Sequence, residues 1–554
     1  MSRTVTEDDR ASRAATDAGL EASTRLMTVL VALSRASGLV RMLVALAVLG
    51  TSSALSNVYQ SGNSVPTLLF ELLAAGALSA TLVPEFRRRR SATDPTGAAR
   101  LASGVLVWGG LVVGVVVVAA VALRGPLSAL LLGGLPPGAE RSDAEALLQL
   151  FLLVFLPQVL AYLANAVAVA YLQAAHRFGA MVVCPLVNNV VLIVTFLVFR
   201  ALRDGAPPSL GLTGAQVAVL AGGTTLGVVA MCAVPAVDAW RHGLRPVAPL
   251  PLRSPELRVV VTDGWWAAVF LASTQVVLLV ALPLTNAVAG NTLVWTVAWQ
   301  VFLLPFAVLA VPVITSRFPA LAAAHDEHRA DRFRETLVGG VRSIVATGTL
   351  AGALMWATAA PVGRLLAVGA SRGAAPELTG ALRSLAPAVV AFGLVHLLAR
   401  TMYAVGDTRA PAAAAVVAAV VTVGGMFLLA AALPLDQRLR AIGWSLVAGQ
   451  TVALVVLGRV VVRRTGVRGT TEGPPVGRTV LRRVVAAGAA GAAAWGVVLT
   501  TAGLGGAVGA AVGALAGAAV GLVAFVAVDS ALGGPGPRRT LTSLGAAERL
   551  VTGA

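Results

Sequence analysis

Apolar residues in this chain are gathered into blocks of about twenty, and that block length limits most of what the chain can become. At about 1.5 Å of rise per residue, such a block matches a hydrocarbon core roughly 30 Å thick. The blocks fall at about 27–49, 64–84, 101–123, 147–171, 178–199, 213–236, 264–285, 292–315, 343–363, 384–403, 411–433, 441–462, 482–502 and 505–529. The expected fold class is therefore an all-α polytopic membrane protein of about fourteen transmembrane helices. Composition agrees. The chain is 57% hydrophobic and 12% charged, where soluble globular chains carry roughly a quarter charged residues. Pro66, Pro157, Pro185, Pro305 and Pro312 fall within or beside blocks. Proline is tolerated there when neighbouring helices or a cavity satisfy the freed backbone groups.

The formal charge is +17, and lysine is absent, so arginine carries the basic balance. Arg87, Arg88, Arg89, Arg90 and Arg100 follow the second block, and Arg241, Arg245, Arg253 and Arg258 follow the sixth. Arg317, Arg329, Arg332 and Arg334 follow the eighth, and Arg463, Arg464, Arg468 and Arg478 the twelfth. All are even-numbered connections. The positive-inside rule then places both termini in the cytoplasm. These arginines read as contacts to anionic lipid headgroups. Spread over many loops, they form no basic domain, so no nucleic-acid partner is expected. Residues 1–24 are polar, and the block after them is too long for a signal-peptide core. Cys184 and Cys232 make neither a disulfide framework nor a metal set.

Two short links resemble one another. Tyr171 precedes Arg177 by six residues after the fourth block, and Tyr403 precedes Arg409 by six after the tenth. A shift of six spans maps one onto the other, which suggests a parallel repeat. The expected organisation is a tail at 1–24, an N-lobe at 25–245 and a C-lobe at 246–465. A linker at 466–479, two further helices at 480–531 and a second tail at 532–554 complete it. The linker is rich in Gly, Thr and Pro.

Costly residues inside spans carry the functional information. Arg35 and Arg41 lie within the first block, where an arginine near mid-bilayer costs roughly 2.5–3.5 kcal/mol. Two readings stand side by side. The arginines snorkel to an interface or are neutralised by Glu71 of the next span. Alternatively, they line a hydrated cationic cavity that receives a phosphate or pyrophosphate, for which the planar guanidinium fork is suited. Glu71 is the expected charge partner. Asn57, Gln60, Asn63 and Gln300 are candidate polar residues of the cavity wall. Other polar span residues, Asn189 and Asn286 among them, read as interhelical hydrogen bonds. His325-Asp326-Glu327-His328 sits in a highly charged loop and reads as solvated rather than metal-binding. Without lysine there is no Walker A motif, so coupling to an ion gradient or membrane potential is expected instead of ATP. No catalytic constellation, metal site or cofactor motif is present, so the chain is not expected to be an enzyme.

Ser34-Arg35-Ala36-Ser37-Gly38-Leu39-Val40-Arg41 resembles the first-span motif of the MurJ/MviN lipid II flippases. Val65-Pro66-Thr67-Leu68-Leu69, then Gly76-Ala77-Leu78-Ser79 and Val83-Pro84-Glu85-Phe86, is similar to their second span. Arg177-Phe178 with Pro185 and Asn188-Asn189, and Tyr403 through Pro411, resemble their two hairpins. The resemblance implies the MOP-superfamily fold: two six-helix lobes around a central cavity, plus two C-terminal helices. It implies transfer of lipid II between leaflets by alternating access, for cell-wall synthesis, in a bacterial inner membrane. Cavity arginines then hold the pyrophosphate, a role that passes to Arg35 and Arg41. Partners would be the lipid-linked glycan, membrane lipids and cell-wall synthesis enzymes. Phe70-Glu71 stands where the family has an arginine pair, and Trp299-Gln300 where it has Asp-Arg. The rival readings are a non-transporting scaffold for envelope enzymes and a MATE-like exporter of cations or drugs.

Overall fold

The structure, a computed structural model, describes residues 33–71, 76–91, 96–245, 247–251, 254, 265–466 and 476–534. The expected N-terminal tail, most of the linker and most of the C-terminal tail lie outside these residues. Among the described residues every regular element is helical. Eleven helices are long and apolar enough to cross a membrane, and a bent pair, Gly369–Leu385 with Ala388–Ala404, makes a twelfth span. The first two expected spans correspond to helix 33–49 and to Leu55–Phe70 with Gly76–Ser91. Both border residues outside the description, so the described residues establish up to twelve spans rather than fourteen.

Several elements begin earlier than their apolar blocks, and two of them show why. The second starts at Leu55 because Ser56, Asn57 and Ser61 are buried against other helices despite their polarity. The helix Ala330–Leu366 starts well before its apolar block because its first turns are amphipathic. Phe333, Leu337 and Val338 turn inward while Asp331, Arg332 and Glu335 stay outside.

Lipid is as apolar as a protein core, so close packing and hydrogen bonds, rather than escape from water, hold such helices together. Tyr59 shows the packing. Its ring meets Phe151, Phe155 and Phe196 edge-on at 5.6–6.2 Å, and its hydroxyl lies 2.9 Å from Thr224 Oγ1. The C-terminal pair, Val476–Thr501 and Gly506–Ala531, packs on Ala330–Leu366. The approach is close enough that a Cβ on Gly521 would lie 2.5 Å from Leu354. At one end of this pair Asp529 is fully buried. Its Oδ1 lies 2.9 Å from Arg482 Nε and 3.2 Å from Arg483 Nε.

The two resembling links are built alike. Helices end at Ala174 and Ala404 and restart at Gly179 and Arg409. Each turn is closed by one backbone bond of 2.9 Å, Arg177 N to Leu172 O and Asp407 N to Met402 O. Each also has one residue at positive φ, His176 and Gly406. By backbone register Arg177 therefore corresponds to Asp407 and not to Arg409, a shift of two from the side-chain match.

Candidate functional site

The Arg-rich loops lie at one end of the helices, and the ends joined by Gly50, Gly290 and Gly369 lie at the other. Helix 33–49 runs between the two. Near its start, Asn189 of Gly179–Ala201 donates to Ser37 Oγ at 2.9 Å and to Ser34 O at 3.3 Å. Gly38 leaves Asn189 room, since a Cβ there would stand 3.5 Å from its Nδ2. The Ser-x-x-Ser-Gly segment thus fixes the helix that carries both arginines.

Arg35 is exposed at the Arg-rich end. Arg41 lies almost two turns deeper. It is half-buried. Its ionisable neighbours are Tyr59 and Tyr162, both phenols. Tyr162 in turn packs on Phe70, with ring centroids 5.6 Å apart. Among the described residues no ion pair engages Arg35 or Arg41.

The expected pairing of Glu71 with either arginine is not made among the described residues. At 3.6 residues per turn, Phe70 returns almost beneath Tyr59 after about three turns, while Glu71 lies about a third of a turn further round. Phe70 therefore faces the Arg41 neighbourhood, and Glu71 remains half-buried beside it.

The four candidate wall residues separate. Asn57 does not line a hollow. It is fully buried, and its amide is spent on Val288 O at 2.8 Å and Thr292 N at 3.1 Å. Gln60 turns back on its own helix, to Ser64 Oγ at 3.2 Å. Asn63 is half-buried and Gln300 is exposed. The side chains of these last two make no hydrogen bond among the described residues and keep their amides available to a passing ligand.

What Asn57 joins is a latch between the first and second halves of the chain, at the face opposite the Arg-rich loops. Asn286 Nδ2 donates to Ser61 Oγ at 2.9 Å and to Leu131 O at 2.8 Å, and its Oδ1 accepts from Thr292 Oγ1 at 2.5 Å. Gly290, at φ +80°, lets this turn press against Thr51, where a Cβ would meet Thr51 Cβ at 2.3 Å. Ser371 Oγ and Arg203 Nη1 donate to Leu46 O and Val48 O, at 2.7 and 3.0 Å, closing the end of helix 33–49. Each such buried group costs about 1–3 kcal/mol if left unpaired. Asn286→Leu is therefore expected to loosen the latch. A Thr51→Cys reporter should then react several-fold faster with an impermeant maleimide, and an unchanged rate would remove the latch from the account.

A hollow of ≈ 80 Å³ lies wholly in the second half among Phe270, Trp295, Trp299, Phe392, His396 and Gln450. Its wall carries neither carboxylate nor arginine. His396 Nδ1 is engaged with Phe392 O at 2.8 Å, while Gln450 Oε1 and Trp295 Nε1 lack partners. It has no group suited to neutralising a charged ligand.

Solved structures share this arrangement of helices. A multidrug resistance MATE family transporter of the MOP superfamily, in an inward-facing conformation, aligns with TM-score 0.63 and 16% identity over 80% of this chain and 96% of its own. A MOP superfamily transporter from Pyrococcus furiosus aligns with TM-score 0.57 and 16% identity, over 81% and 97%. The fold is thus that of the MOP-type multi-pass membrane transporters. A structure of lipid II flippase MurJ in an inward closed conformation aligns with TM-score 0.72 and 14% identity, over 91% of this chain and 98% of its own. The probable lipid II flippase MurJ of Rhizobium tropici is 24% identical over 384 residues, 68% of this chain and 69% of that protein. The sequence model of the family described as "Lipid II flippase MurJ" matches residues 46–511, and the chain belongs to that family.

Proposed function

We propose that the chain carries the lipid II headgroup from the cytoplasmic to the outer leaflet, with Arg41 as the principal pyrophosphate ligand. The observation that carries the assignment is a half-buried arginine within the first span that has no acidic partner among the described residues. A guanidinium bonds two phosphate oxygens at once and stays charged in a low-dielectric setting. Arg35, exposed at the Arg-rich end, gathers the headgroup at the mouth. The Arg-rich face is cytoplasmic in this reading, with both termini on that side. The latch at Asn57 and Asn286 then closes the outer face while the substrate enters from the cytoplasm. The cation-exporter reading has less support, since the family model and the curated relative are both of the lipid II flippase kind.

The substrate's charge supplies a driving force. An anion moving outward down an inside-negative potential releases about 2.3 kcal/mol per elementary charge per 100 mV. Translocation in vesicles is therefore expected to accelerate severalfold when a potassium diffusion potential, negative on the Arg-rich side, is imposed with valinomycin. Collapsing it should return the rate to baseline. A rate indifferent to potential, but dependent on a sodium or proton gradient, would replace this coupling with an ion-driven one. The function itself is tested by complementing a strain depleted of its own lipid II flippase. Failure of the unsubstituted chain to rescue would favour the scaffold reading, and full rescue by variants lacking both Arg35 and Arg41 would remove the proposed pyrophosphate site.

A further inference from the structure

A different pair of arginines stands at the face opposite the Arg-rich loops. The short helix Ala375–Leu385 packs against the start of Arg438–Thr465 so tightly that a Cβ on Gly443 would lie 2.0 Å from Ser384 Oγ. Between them is a half-open pocket of ≈ 210 Å³ lined by Thr379, Gly380, Arg383, Ser384, Arg440 and Trp444. Gly380 makes it possible. A Cβ there would stand 2.6 Å from Arg440 Nε, so only a bare backbone lets that side chain lie across the helix.

Neither Arg383 nor Arg440 takes part in an ion pair among the described residues, and Arg383 Nε is buried without a hydrogen-bond partner. The guanidinium of Arg383 is held over Trp356, 5.1 Å from the ring centre. Trp356 in turn meets Trp495 at 5.9 Å. The hydroxyls of Thr379 and Ser384 donate to their own helix, to Ala375 O and Ala381 O, so the arginines are the free donors of the pocket. Glu377 and Asp436 are the nearest acids in the sequence, and neither lines it. Two unpaired cations in one concavity call for an anion. Trp356, Trp444 and Trp495 are each about two-fifths exposed or more, the placement of indoles at the headgroup level of a bilayer.

We propose that this pocket binds the phosphate of a lipid headgroup, the two guanidinium forks bracketing its oxygens. That the leaflet is the outer one rests on the orientation proposed above. The chemistry is shared by two sources, a resident anionic phospholipid and the pyrophosphate of cargo that has already crossed.

Native mass spectrometry of the full-length protein distinguishes them, using a polyprenyl diphosphate, phosphatidylglycerol and inorganic pyrophosphate as separate probes. The unsubstituted protein is expected to hold two polyprenyl diphosphates. R383Q/R440Q should hold one, and R41A should hold the other one. R383K/R440K keeps the charge and should retain its lipid, which guards against loss through misfolding. Loss of phosphatidylglycerol in R383Q/R440Q would identify a resident lipid, and loss of the polyprenyl diphosphate alone would identify cargo. Either supports the site. Unchanged lipid binding in R383Q/R440Q would overturn it, as would arginine-dependent binding of inorganic pyrophosphate without any lipid. If R41A alone keeps both lipids, the transport-site assignment fails and this one stands.

Discussion

Replacing Arg41 with methionine is expected to slow lipid II translocation about tenfold to a hundredfold while leaving the protein as stable as before, or more so. The two halves of that expectation have one cause. A hydrogen bond to a charged partner contributes about 1.5–3 kcal/mol, and each ~1.4 kcal/mol is a factor of ten. In the resting protein, however, the guanidinium has no anion to offset its desolvation. Among the described residues its ionisable neighbours are the phenols of Tyr59 and Tyr162. Removing a half-buried charge that has no partner relieves a cost instead of creating one. A structural arginine behaves the other way, losing stability along with activity. Arg41→Lys keeps the charge but not the fork, so it should fall between. Arg35→Ala, at an exposed site, should stay within about fivefold of the parent, since exposed charge contacts are worth about 0–1 kcal/mol. Translocation in vesicles and thermal unfolding in detergent, measured on the same preparations, check both halves. Equal transport by Arg41→Met and the parent would dismiss the site.

The fold was legible because a membrane span is written in consecutive residues. Twelve of the blocks reappear as spans among the described residues, with ends displaced where polarity misleads a hydropathy window. The apolar block at 64–84 does not show that its helix begins at Leu55, because Asn57 and Ser61 are consumed by Val288 and Asn286. These partners lie more than two hundred positions away, beyond the reach of any local pattern. The site was half legible. An arginine in a span announces itself by its cost, and Arg41 occupies the deep position that its cost suggests. Glu71 does not pair with it, because adjacency of spans says nothing about rotation and Phe70 holds the facing position. Nothing in the sequence singles out Arg383 and Arg440, since arginines near span ends ordinarily reach water or headgroups singly. Only the packing of Ala375–Leu385 on Arg438–Thr465 brings those two into one pocket.

The C-terminal pair of helices should come away from the rest of the protein when Asp529 is changed to alanine. Asp529 has no exposed surface, and its carboxylate holds Arg482 and Arg483 together. Arg482 also donates to Gly533 O at 3.1 Å, and Arg483 lies over Phe525, 5.5 Å from its ring centre. Removing one member of a buried charged set costs about 3–5 kcal/mol, because the others stay desolvated without compensation. That exceeds what small-residue packing along Gly517 and Gly521 can absorb without rearrangement. Asp529→Asn keeps an acceptor for one arginine and should cost less. Adding Arg483→Met to Asp529→Asn removes the more buried cation and should recover part of the loss. A crosslink reads the docking directly. A Cβ on Gly491 would lie 3.5 Å from that of Ala353, within the ~3.5–4.5 Å a disulfide spans. Ala353→Cys/Gly491→Cys is therefore expected to crosslink nearly completely in the parent background and several-fold less with Asp529→Ala. Undiminished crosslinking, together with an unshifted melting temperature, would mean that apolar packing alone seats the pair and that the charges at its end are incidental.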